Sequence, residues 1–66
     1  MEEPLYSRRL RSFRKLKGFT QVSLAEKMGI SVTVLGQVER GSRVPDKVFL
    51  DKAARALQIS TRDLQS

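Results

Sequence analysis

Cysteine and histidine are both absent from this chain of 66 residues. Without cysteine there is no disulfide staple and no thiolate ligand for structural zinc; without histidine the commonest acid/base group and the usual nucleophile–base pairs are missing as well. The carboxylates do not pair in a way that suits general acid/base work, so the chain is not expected to be an enzyme. Neither a metal, a cofactor nor a small-molecule ligand is expected. No apolar run approaches the roughly 20 residues that span a bilayer. The start Met1-Glu2-Glu3-Pro4 is acidic where a secretory signal is basic. The expectation is a cytoplasmic protein with no membrane partner. Low-complexity segments and solenoid periods are also lacking, which leaves a single domain over 1–66. A domain of this length buries only about 60% of the surface its unfolded chain exposes, so the core must be small.

What the chain does have is positive charge. Thirteen Lys and Arg face seven Asp and Glu, for a formal charge of +6. That balance implies a partner carrying negative charge, nucleic acid or an anionic surface. Spacing has to choose between them.

Five short helices and no strand are predicted. In the first, Leu10 and Phe13, with Tyr6 and Leu16 near them on the wheel, form an apolar side. Arg8, Arg11 and Lys15 make a solvated basic face opposite, and Gly18 ends the helix. Thr20 caps a second helix in which Leu24, Ala25 and Met28 share one face. Gly29 can take the positive φ of a tight turn before Ser31 caps a third helix, 31–40. Leu35 and Val38 point inward there, leaving an exposed arc of Val32, Thr33, Gly36 and Gln37. The segment from Gly41 to Pro45 is a connection, and Asp46 caps the fourth helix. Its buried stripe is Leu50, Ala53, Ala54 and Leu57. Ser60 caps a short fifth helix, with Asp63 completing an imperfect capping box.

The unit from Thr20 to about Arg40 is helix, glycine turn, helix. In register with it stand Leu10-Arg11, Lys15 and Gly18, then Thr20-Gln21, Leu24-Ala25, Gly29-Ile30-Ser31, Val38-Glu39-Arg40-Gly41, Arg43, Pro45, Leu50, Ala54 and Ala56-Leu57. Together these resemble the lambda-repressor-like, Cro/C1-type (XRE) family over nearly the whole chain. The resemblance implies an all-α, compact five-helix domain that binds operator DNA, usually as a symmetric dimer, with the third helix in the major groove.

On this reading Val32, Thr33, Gly36 and Gln37 face bases. Gln37 is the strongest reader, because its amide can pair bidentately with adenine N6 and N7. Thr33 offers a hydroxyl or a methyl, and Val32 a methyl for thymine. Gly36 departs from the polar residue usual there and costs the helix about 1 kcal/mol relative to Ala. Close backbone approach to DNA or a tolerated defect would each account for it. Gln21, at the start of the second helix, suits a phosphate, and Arg40, Ser42 and Arg43 suit clamping of the DNA backbone. The resemblance also implies a partly buried ion pair of Arg14 and Glu39, a structural role. Val48, Phe49, Ile59 and Leu64 are the candidate dimer interface, with Phe49 equally able to fill the chain's own core beside Ala53.

The expected function is therefore a sequence-specific transcription regulator, a repressor of a two-fold operator bound as a homodimer. The competing reading is a protein–protein interaction module of antitoxin or polymerase-binding type. With no room for a sensor domain, the chain is a standalone regulator or the DNA-binding part of something longer.

Overall fold

A computed structural model describes residues 3–65. Met1, Glu2 and Ser66, the ends of the single domain expected over 1–66, lie outside the described residues. The helices are α1 (Leu5–Leu16), α2 (Gln21–Met28), α3 (Val32–Glu39), α4 (Lys47–Leu57) and α5 (Thr61–Gln65). Among the described residues there is no strand, and no helix is long and apolar enough to cross a membrane.

Each helix after the first begins where a short polar side chain satisfies an otherwise orphan amide. Thr20 Oγ1 accepts from Ser23 N at 3.0 Å while Ser23 Oγ accepts from Thr20 N at 2.9 Å, closing a reciprocal box. Ser31 Oγ accepts from Val34 N at 3.1 Å, and Asp46 Oδ1 from Phe49 N at 2.8 Å. Ser60 and Asp63 exchange two bonds of 3.0 and 3.3 Å. The turn between α2 and α3 is closed by Gly29 at φ 73°, with Ile30 N donating to Ala25 O at 3.0 Å. Helix α4 ends the same way on Gln58, the one non-glycine residue with positive φ among those described. Its side chain gave no sequence signal for that conformation.

Helix α1 packs on α3, α4 and α5, while α2 lies against α3 and α4. Their inner faces meet in a core centred on Leu10, Leu24, Leu35, Leu57 and Leu64. Leu16 is not part of it. This last residue of α1 is 75% exposed, because it falls off the i, i+4, i+7 line of Tyr6, Leu10 and Phe13.

The buried stripe of α4 is rotated from the expected one. Phe49, Ala53, Ala56 and Leu57 are buried together with Ala54, while Leu50 sits at the rim. Phe49 therefore fills the chain's own core, where the small Ala53 one turn on leaves room for its ring. Leu64, carried by α5 onto α1 and α4, is wholly buried. Both candidates for the dimer interface are thus buried within the chain itself. Of the four interface candidates only Val48 is well exposed, and Ile59 is half-buried.

Candidate nucleic-acid interface

The inner side of α3 is tied to α1 by buried polar bonds. Ser7 Oγ donates to Val38 O at 2.6 Å, and Arg11 Nη1 donates to Glu39 O. Arg14 grips the Glu39 carboxylate with both prongs, Nε to Oε2 at 2.7 Å and Nη2 to Oε1 at 3.1 Å. Its remaining Nη1 donates to Phe19 O at 3.0 Å, just before α2. Glu39 is 1% exposed, and Gln21 Nε2 gives it a further bond at 3.1 Å. One carboxylate thus joins α1, α2 and α3. A planar guanidinium suits this role because its donors match both carboxylate oxygens at once.

The helical spacing predicts Arg11 on a solvated basic face with Arg8 and Lys15. One turn before Arg14, it instead faces the same way and also pairs with Glu3, Nη2 to Oε2 at 2.8 Å. Its hydrogen bond holds the Glu3 carboxyl below the usual carboxylate range. Ser7 and Arg11 were missed because a lone serine or arginine on a helix carries no local mark of a distant partner.

The outer side of α3 is less uniform than its sequence suggests. Val32 and Thr33 are exposed in its first turn, and Gln37 is half-buried one turn further on. Gly36 is buried, not open to a base. A Cβ added there would meet Arg40 Nη1 at 3.3 Å and the Gln21 amide at 3.9 to 4.0 Å, so Gly36 is the floor beneath those two side chains. Gly36→Ala should therefore raise stability by about 0.5 to 1 kcal/mol, since the flexible Arg40 tip can move and Ala is the better helix former. Urea denaturation followed by helical circular dichroism checks this; a lower midpoint would mean that Arg40 cannot yield.

Beyond α3, both Ser42 donors are spent within the chain. Its N–H and hydroxyl donate to Gln37 O at 2.9 and 3.1 Å, capping the last turn. Arg43 Nε donates to Gln37 Oε1 at 2.8 Å. Arg40 and Arg43 are exposed, flanking the end of α3. Gln21 lies at the α2 N-terminus with one amide N–H committed to Glu39. Among the described residues no cluster of His, Cys, Asp or Glu could hold a metal ion.

Two capped helices about a left-handed glycine, the second bound on one side and open on the other, define a small helix-turn-helix domain of the DNA-binding kind. The helix-turn-helix family model matches residues 10–64. The chain belongs to the lambda-repressor-like, Cro/C1-type (XRE) helix-turn-helix family. It is 48% identical over 64 residues to the uncharacterized HTH-type transcriptional regulator YazB of Bacillus subtilis, spanning 97% of this chain and 93% of that one. It is 33% identical over 61 residues to the B. subtilis regulator SinR, covering 91% of this chain but 55% of SinR. The fold superposes on the N-terminal DNA-binding domain of SinR with a TM-score of 0.86, over 91% of this chain and 88% of that domain. The restriction-modification controller protein C.AhdI of Aeromonas hydrophila gives a TM-score of 0.87 at 41% identity, covering 89% of each chain.

Proposed function

We propose that this chain is a transcription regulator that occupies a specific duplex DNA site, α3 lying in the major groove, and represses from a two-fold operator as a homodimer in the cytoplasm. The observation that carries the reading is the division of α3. Its inner side is fixed to α1 through Ser7, Arg11 and Arg14, while Val32, Thr33 and Gln37 lie on the other side between exposed cations. A helix with its side chains is about 10 to 12 Å across, which matches a major groove of about 12 Å. Base discrimination falls to Gln37, Thr33 and Val32. Arg40 and the amides opening α2, with the second N–H of Gln21, hold phosphates.

Eight residues of α3 touch too few base pairs to define a genomic site, which is the argument for a second copy on the adjoining half-site. Val48, 59% exposed, and the half-buried Ile59 are the candidates left to meet it. The names of YazB and SinR as transcriptional regulators favour this function over a protein-binding role.

Titration of a random duplex against salt tests the reading. The expected log K against log salt is a straight line falling by about 0.9 for each phosphate neutralised. A flat line would overturn DNA binding. Selection of bound sites from random DNA should then return half-sites about 10 to 10.5 base pairs apart, and asymmetric single sites would overturn the dimer.

A further inference from the structure

We propose that the groove between α2 and α4, at the end of α1, docks an acidic peptide segment of a partner protein. Two adjoining hollows of about 330 and 190 Å3 form it, sharing Lys27 and Ala56. Lys17, Lys27, Lys52 and Arg55 stand round them, and among the described residues no carboxylate lines either hollow. All four cations are exposed, and among the described residues none is held in an ion pair. Lys27 is steadied over the Phe19 ring, 5.5 Å from its centre, a contact that leaves its ammonium donors for a ligand. None of the lining residues belongs to α3 or to the segment 41–46 after it, so this face is separate from the one assigned to bases. The inference does not rest on the DNA reading.

Lys17, Lys27 and Arg55 each stand at the end of a helix, where a cation complements the dipole. That accounts for each of them singly. It does not account for Lys52, inside α4 one turn before Arg55 and on the same side, or for the convergence of three helix ends on one groove free of carboxylates. Each helix end brings about half a unit of negative charge, which leaves the four cations well in excess. Between them the floor is apolar: Met28 and Ala56 lie under the larger hollow, Leu57 and the half-buried Phe19 under the smaller. A duplex would bring phosphates to the cations but nothing for that floor. A segment with carboxylates on both sides of one apolar side chain meets both, an apolar centre inside a charged rim.

Fluorescence anisotropy with the labelled peptide Glu-Asp-Leu-Glu-Asp-Glu and the full chain tests this. The peptide should bind, and more weakly as salt rises. Lys52→Gln together with Arg55→Gln should weaken it about tenfold, whereas Arg8→Gln with Lys47→Gln, which removes the same charge elsewhere, should change it less than about twofold. Serine in place of the peptide's leucine should cost about five- to tenfold through the lost apolar contact. Urea midpoints should not fall, since all the altered side chains are exposed. Equal weakening by the two double variants would mean diffuse attraction and overturn the proposal. So would a serine peptide that binds as well as the leucine one, or no binding at all. Tighter binding of a labelled oligothymidylate of the same length, lost in the Lys52 and Arg55 variant, would make the groove a nucleic-acid surface and overturn the peptide assignment.

Discussion

Glu39→Ala is expected to cost about 3 to 5 kcal/mol of folding stability, the scale for breaking one side of a buried ion pair. The substitution removes the acceptor for Arg14 Nε and Nη2 and for Gln21 Nε2 together. The Arg14 side chain, 11% exposed, then keeps its charge and its burial without the counter-charge. At about 0.05 to 0.15 kcal/mol per residue a chain of this length has only about 3 to 10 kcal/mol in all. The variant should therefore be partly unfolded at room temperature, read as lost helical signal and a collapsed urea midpoint. The double variant Arg14→Met with Glu39→Leu should recover most of the loss, because apolar groups of similar volume need no partner in the interior. A Glu39→Ala loss below about 1 kcal/mol would place the pair among exposed salt bridges instead.

Gly41→Ala comes next, with an expected loss of about 2 to 5 kcal/mol from two separable causes. Gly41 stands at φ 79°, where a Cβ crowds the following carbonyl at a cost of about 1 to 2 kcal/mol. The added Cβ would also lie 2.9 Å from Pro4 Cδ, in a rigid ring at the start of α1 that cannot swing away. Gly18→Ala is the built-in control. Gly18 has φ 82° and nothing within 4 Å of an added Cβ, so it should lose the conformational part alone. Equal losses at both glycines would show that Pro4 gives way without cost. Because Pro4 leads α1 and Gly41 follows α3, the close approach also bears on how α3 sits on the rest.

Much of this fold is legible in the sequence. Thr20, Ser31, Asp46 and Ser60 mark helix starts because a capping side chain bonds an amide only three residues away. Gly29 marks the turn because left-handed backbone favours glycine. The apolar spacing of Leu24, Ala25 and Met28, and of Leu35 and Val38, placed both helices of the motif the right way in. The α4 stripe was harder, since Phe49 and Leu50 are adjacent and each heads a plausible helical row. Choosing between them needed the neighbours that α1, α2 and α5 supply.

Within the site the same division holds. Val32 and Thr33 are exposed, as their places on the wheel imply, whereas Gly36 shares their arc yet is covered by Gln21 from another helix and Arg40 from one turn on. Ser42 and Arg43 look like two free polar groups in a loop, but both bond to Gln37.

By itself, then, the sequence determined where the helices start and stop, which faces of α2 and α3 turn inward, the excess of positive charge and the family. Each of these is set by residues within about one helical turn, or by composition. Only the tertiary structure decided that Phe49 and Leu64 are core, that Gly36 is a floor, and that Arg11 joins Arg14 in holding α3. The bonds that hold α3 link residues 18, 25, 28 and 31 positions apart, and no local propensity selects among partners at such separations. Packing of the small core brings them together, and burial then makes an unpaired donor or acceptor too costly to leave.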